Sequence, residues 1–445
     1  MGGEAFECPT RLRPPRDHGV KTNPFNPEEL SQCVLCGMCL SACPTHRELH
    51  EEMDSPRGRI ALMRLLSRGK IDPDGSFATH IDRCLGCLAC EAVCPSGVRF
   101  GHLLEDARAY LEEARPKPLL ERLLWDFIFH QLLPHSWRLH LFAVLLRMGQ
   151  RLGAPRGAAR LSRFGLLPKD VEELFAMLPP LPDRFFLPPP GTTFPPRGER
   201  RLRVALFLGC VMPYLFAPVH EATVRVLQRN GCEVVVPGKQ ICCGALHLHS
   251  GFKAEAKAMA KRNIEAFERI EVDAIVLNSA GCSLAMKAYP ELLRDDPSFA
   301  ERALSFSLKI QDFSRLLLGL PFEKPSGWMR RRATYQDPCH LAHAQRIKVE
   351  PRRLLRSIPG LEFIEMREAD RCCGAAGVYN LLQPVLSQRI LDFKIRCLSE
   401  TQADLVVAPN PGCLLQLRYG CAKAGLKVEV VHLAELLDRA YVGEP

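Results

Sequence analysis

At 445 residues and 47% hydrophobic side chains, the chain is long enough for two or three domains and too apolar for global disorder. Its formal charge of +9 is spread without a long basic run or interleaved aromatics, which argues against nucleic acid and for an acidic protein partner or an anionic lipid surface. Twenty cysteines suit either secreted disulfides or metal sites. The first residues form no apolar signal segment, so a reducing cytoplasm with thiols as ligands is the expectation.

Residues 1–30 read as a polar, proline-containing arm, in which Cys8 matches no motif and is a spare thiol. Between 31 and 115 two runs share one spacing. Cys33, Cys36, Cys39 and Cys43 precede Pro44, and Cys84, Cys87, Cys90 and Cys94 precede Pro95. In two-cluster bacterial ferredoxins this spacing lets three thiolates of one run and the last of the other hold each [4Fe–4S] cube. That rule groups Cys33, Cys36, Cys39 and Cys94 on one cluster, and Cys84, Cys87, Cys90 and Cys43 on the second. A pair of structural zinc sites is the alternative, disfavoured by the duplicated Cys-x-x-Cys-x-x-Cys-x-x-x-Cys-Pro run. Between the runs, Ser55-Pro56 predicts a capped helix with an apolar face of Ile60, Met63, Leu65 and Leu66. Its Arg57, Arg59 and Arg64 either face solvent or offset the charge of a cluster.

Residues 102–178 read as mainly helical. The stretch 119–146 is strongly apolar but broken by Glu121, Arg122, Asp126, Pro134 and Arg138, so no run spans a bilayer. It is expected to cover the clusters or a partner, or to lie in a membrane interface on Trp125, Trp137 and Phe142. The proline-rich stretch 179–199 is expected to be a semi-rigid linker closing a 116–200 segment.

Strands and helices then alternate in an internal repeat, spanning 201–320 and 330–440. In the first copy, strands at 203–208, 233–236 and 274–278 precede Cys210, Cys242-Cys243-Gly244 and Gly281-Cys282, with helices near 217–229 and 253–270. In the second, strands at 333–336, 361–365 and 404–408 precede Cys339, Cys372-Cys373-Gly374 and Gly412-Cys413, with helices near 350–357 and 383–398. Such alternation predicts parallel sheets with right-handed crossovers. Every cysteine motif then falls at the carboxyl edge of its sheet, where such folds bind ligands. Cys210, Cys242, Cys243 and Cys282 can therefore converge, and so can Cys339, Cys372, Cys373 and Cys413. Each set suffices for a further iron–sulfur cluster, with a redox-active disulfide or plain core packing as alternatives. His247, His249, His340 and His343 lie near these loops, more as loop histidines than as ligands. Cys232, Cys397 and Cys421 are expected in the core. The fold class is therefore α+β overall, a mainly helical ferredoxin-type domain followed by duplicated α/β domains.

The chain resembles the iron–sulfur subunits of bacterial glycolate oxidase, within the wider family that joins a two-cluster ferredoxin domain to two cysteine-rich CCG domains. The similarity rests on Ser55-Pro-Arg-Gly-Arg-Ile60, Asp82-Arg-Cys84, Cys94-Pro-Ser-Gly-Val-Arg99, Pro338-Cys-His-Leu-Ala-His-Ala-Gln345, Arg371-Cys-Cys-Gly-Ala-Ala-Gly-Val-Tyr379 and Asn410-Pro-Gly-Cys413. It implies an oxidoreductase subunit that only transfers electrons, from flavin-binding dehydrogenase subunits oxidising glycolate or another 2-hydroxy acid to a quinone-type acceptor. It implies a place in the cytoplasm, peripheral on the inner face of the membrane. The iron–sulfur subunits of anaerobic glycerol-3-phosphate dehydrogenase and heterodisulfide reductase share the same parts and give the alternative. In the heterodisulfide reductase pattern a fifth cysteine completes each repeat; here Ala285 and Gln416 stand there, which weighs against that chemistry. No Gly-x-Gly-x-x-Gly opens a helix after a strand, so no dinucleotide site is expected in this chain.

Overall fold

The computed structural model describes residues 24–115, 117–154, 157 and 178–443. Cys8 and part of the predicted helical stretch lie outside them. In the N-terminal part, helix α1 (Pro56–Ser67) starts where predicted, with Ser55 accepting the Gly58 N–H at 3.0 Å. It packs with α2 (Phe100–Ala114) around Ile60, Met63, Phe77, Leu103 and Ala107. A second helical layer follows: Leu119–Trp125 runs into a π-helical turn, Asp126–Leu132, and then α3 (Ser136–Arg151).

The stretch 179–199, expected as a semi-rigid linker, is built into the first sheet. The backbone N–H of Phe186 donates to the Pro213 carbonyl, and β1 (Thr193–Phe194) pairs antiparallel with β3 (Cys232–Val235). Pro195 to Arg200 then lead into β2 (Leu202–Leu206), so the segment supplies the edge of the first sheet. That sheet has the order β1-β3-β2-β4-β5, with β4 Ala274–Leu277 and β5 Ile310–Asp312; all but β1 are parallel. The second sheet runs β7-β6-β8-β9, all parallel, with β6 Arg332–Tyr335, β7 Glu362–Phe363, β8 Leu405–Val407 and β9 Glu429–Val431. The crossover helices include α4 (Ala217–Arg229), α5 (Lys253–Phe267), α6 (Pro384–Glu400) and α7 (Pro411–Lys423), and α8 (Leu433–Val442) closes the chain.

Strand β2 ends two residues earlier than its apolar run. There the Leu208 N–H donates to Gln240 Oε1 at 2.8 Å, and its carbonyl accepts from His220 Nε2 at 3.0 Å. These side chains take over from the ladder and turn the chain toward Cys210. The two repeats are not separate bodies, because Val204, Leu206 and Val234 of one sheet share a core with Ala333, Tyr335 and Leu405 of the other. Helices α4 and α8 contribute to the same core. Cys232, Cys397 and Cys421 are buried in it or beside it, as ordinary small apolar residues.

Candidate metal centre

The two ferredoxin-type loops share one backbone design. Leu35 and Gly37 in the first, and Gly86 and Leu88 in the second, have left-handed φ of +59°, +83°, +63° and +61°. The same two positions are thus left-handed in each loop, with glycine and leucine exchanged. Alternating handedness turns peptide N–H groups inward, as a concavity for negative charge. Gly37 has a further reason, since a Cβ there would come within 2.6 Å of Arg57 Nη1. Short helices, Cys39–Ala42 and Ala89–Ala92, then carry the chain to Cys43 and Cys94.

Cys33, Cys36, Cys39 and Cys94 line one cavity, with about 430 Å³ free of protein atoms, part of it open to solvent. Cys43, Cys84, Cys87 and Cys90 line a second, with about 310 Å³. Cys90 also touches the first, so the cavities are neighbours. Each cavity therefore gathers the fourth cysteine of the opposite run. The donor chemistry fits a thiolate-held cluster. Gly86 N–H approaches Cys84 Sγ at 3.4 Å, Val98 N–H approaches Cys94 Sγ at 3.4 Å, and Arg59 Nη1 lies 3.9 Å from Cys43 Sγ. As a free thiol Cys90 is pushed well up by burial and then by Cys87, Cys84 and Cys43, the penalty that a bound cation would lift.

Of the three arginines of α1, Arg57 and Arg64 are half-buried, and Arg57 pairs with Glu52. Arg64 donates to the carbonyls of Leu30 and Cys33, pinning the start of the first loop. Arg59 is fully buried and donates to the His80 carbonyl at 2.7 Å, Thr45 Oγ1 at 3.1 Å and Asp54 Oδ1 at 3.3 Å. Glu51, Asp54 and His80 could be mistaken for a cation site. Asp54, however, already meets Arg59, Arg83 and His80 within 3.3 Å. It is a compensated ion cluster supporting Cys43.

In the first repeat Cys210, Cys242, Cys243 and Cys282 act on one another in series. The second has the same chain of contacts through Cys339, Cys372, Cys373 and Cys413. One thiol in each set is drawn well below the ordinary thiol range by hydrogen bonds from its neighbours: Cys242 by Cys210 and Cys243, Cys373 by Cys372 and Cys413. A set of this kind gives up protons readily to a metal. The buried Lys394, whose own proton affinity is lowered by burial, donates to the Glu368 carbonyl at 2.6 Å and adds positive charge beside Cys373.

The quartets adjoin. Cys87 is pushed up by burial and then by Cys339, and both belong to one apolar cluster with Cys372 and Tyr379. Asn410 stands between the repeats. Its Oδ1 accepts the Gly281 N–H at 3.2 Å, and its Nδ2 donates to Cys413 Sγ at 3.5 Å. Nothing in the spacing of the sequence announces that role. His340 Nε2 pairs with the Gly86 carbonyl at 3.0 Å, and burial holds the ring neutral with its pKa near 4. His343 meets the Asp370 carbonyl and His247 the Phe129 carbonyl, so these rings bind backbone. His249 stands ring to ring with His340 at 5.4 Å. At the fifth-cysteine positions Ala285 is simply buried, while Gln416 donates to Ser387 Oγ at 3.0 Å.

Fold and thiol sets define an iron–sulfur protein in which a dicluster ferredoxin domain is joined to a duplicated cysteine-rich domain. The family model for a 4Fe-4S dicluster domain matches residues 29–98, and that for a cysteine-rich domain matches 204–287 and 333–418. Residues 120–178 match the linker region of glycolate oxidase iron-sulfur subunits. The chain is 43% identical to the probable glycolate oxidase iron-sulfur subunit of Bacillus subtilis (strain 168), over 93% of this chain and 94% of that one. It is 32% identical to the glycolate oxidase iron-sulfur subunit of Escherichia coli (strain K12), over 92% and 94%. Lactate utilization protein A of Bacillus licheniformis is 33% identical over 53% of this chain and 99% of its own length. The chain belongs to the family of glycolate oxidase iron–sulfur subunits. These are oxidoreductase subunits whose part is electron transfer. Bound clusters supply one-electron transfer sites, and the protein tunes them through charge, hydrogen bonds and exposure.

Proposed function

We propose that this chain is the electron-transfer subunit of a membrane-associated, flavin-dependent glycolate dehydrogenase, linking a flavoprotein partner to a quinone-type acceptor at the inner face of the cytoplasmic membrane. Cys33, Cys36, Cys39 and Cys94 hold one [4Fe–4S] cluster, and Cys43, Cys84, Cys87 and Cys90 a second. Each CCG quartet holds one more. The carrying observation is the continuity of thiol sets, from the exposed Cys36 through Cys90, Cys87 and Cys339 to Asn410 and the first repeat. Exposed Val34, Leu35 and Met38 around Cys36 give a redox partner an apolar place to dock.

Anaerobically purified protein is expected to carry about sixteen irons with matching sulfide, four per cube. About eight would confine clusters to the ferredoxin domain. Zinc without iron or sulfide would overturn the reading entirely. Co-purification with a flavoprotein and glycolate-dependent bleaching of the iron–sulfur absorbance test the partner; isolated chain that oxidises glycolate unaided would refute it.

A further inference from the structure

The outer face of the linker helices is apolar where a solvent-facing helix should be polar. At 3.6 residues per turn, Trp137, Leu141, Leu145, Met148 and Leu152 fall on one stripe of α3 and its C-cap. Leu139 and Ala143 lie on the opposite side. The stripe is the exposed side, with Trp137 at 62%, Leu145 at 57% and Leu152 at 84%. The preceding helix adds exposed Leu120 and Leu124, and the π-helical turn adds Phe127. An apolar face of this extent marks a contact surface. The inner face of the same layer, through Phe129, Leu133, Leu139 and Ala143, packs directly on Cys210, Cys242 and Tyr214.

Charge decides the occupant. Helix α3 carries Arg138, Arg147 and Arg151 and no carboxylate. Arg151 meets Asp183 beside the stripe, and Arg147 lies over the Phe185 ring. A second copy of the chain would bring these arginines against their own kind. An anionic lipid surface takes both features, since Trp and Phe seat at the headgroup boundary and arginines meet the phosphates. Among the described residues no helix is long and apolar enough to cross a membrane, so the contact lies in the interface plane.

We propose that the Trp137–Leu152 stripe, together with Leu120 and Leu124, seats this chain on anionic membranes, with the first CCG quartet directly under the seated layer. This rests on the electron-transfer reading above and names the surface through which that role meets the membrane. The test uses the full-length, cluster-loaded protein and vesicles of phosphatidylglycerol and phosphatidylethanolamine, with phosphatidylcholine vesicles for comparison. Sedimentation is expected to give binding to the anionic vesicles that weakens with salt and drops about tenfold or more in Leu141→Glu/Leu145→Glu. Leu304→Glu, exposed elsewhere on the surface, is expected to bind as the parent does. Iron content and circular dichroism verify folding of each variant. Should the double variant not fold, brominated phosphatidylglycerol is expected to quench part of the parent's tryptophan emission, and Trp137→Phe to lose that part. Unchanged vesicle binding in the variant, or absence of quenching, would overturn the proposal. So would loss of flavoprotein co-purification, or of self-association, in place of lipid binding. Glycolate-dependent bleaching of the parent protein with its partner tests the electron-transfer reading separately: its failure there would count against that reading, and vesicle binding lost in the variant would not.

Discussion

Arg59→Met isolates the buried charge cluster behind Cys43. Arg59 and Asp54 both have fully buried side chains, and three hydrogen bonds to His80, Thr45 and Asp54 disappear with the guanidinium. Removing one partner of a buried pair costs about 3–5 kcal/mol, mostly from the charge left behind. Asp54 keeps Arg83 at 2.9 Å and His80 at 3.0 Å, which places the loss at the lower end, about 3 kcal/mol. At about 1.4 kcal/mol per tenfold, amide exchange in helix 56–67 should accelerate by about two orders of magnitude, read by native-state hydrogen exchange. Adding Asp54→Asn removes the stranded carboxylate, while Arg83, at 32% side-chain exposure, turns to water. The double variant should therefore recover about half the loss. Exchange in the double variant as fast as, or faster than, in Arg59→Met would refute the account. Removing a positive charge 3.9 Å from Cys43 Sγ should also lower the potential of the cluster it binds.

His220 and His432 meet at the joint between the repeats. His220 Nε2 donates to the Leu208 carbonyl and its Nδ1 accepts from Asn278 Nδ2; His432 Nε2 donates to the Asn278 carbonyl and its Nδ1 accepts from the Ala434 N–H. Burial holds both neutral, with pKa values lowered from 6.5 to about 4. Their stabilising share is complete above pH 6.5, is lost as pH falls toward 4, and levels off below, for about 3 kcal/mol each. Denaturant titrations of the parent and His220→Gln between pH 7 and 4.5 should show a shallower pH dependence in the variant; equal slopes would contradict this. Gly58→Ala should cost at least about 2 kcal/mol and lower the yield of cluster-loaded protein, because its Cβ would fall 2.0 Å from the Glu52 carbonyl oxygen. Thermal unfolding at the parent temperature would refute that.

Much of this is legible in the sequence. Spacing alone groups the eight ferredoxin cysteines, and the Ser55-Pro56 start of α1 follows from capping chemistry. The repeat order of strand and cysteine motif brings both CCG sets to the sheet edges because parallel crossovers leave nowhere else for them. Strands β5 and β9 leave no such trace, since no cysteine motif follows either of them. In sequence Arg59 reads as either a solvent-facing charge or one that offsets a cluster; its burial depends on Thr45 and Asp54, which arrive from the helix and the turn before α1. The proline-rich stretch reads as a semi-rigid linker because composition carries no record of pairing between Thr193 and Val235.

Asn410 has a consequence for how the duplicated halves can diverge. Three positions before the final cysteine of the motif, the first copy has Ser279 and the second has Asn410. A single carboxamide there serves a peptide N–H of one copy and a sulfur of the other. Neither half can drift freely at this seam: a change of charge at Cys413 polarises the very group that steadies Gly281. Through this one side chain the two copies are mechanically a single piece at the seam.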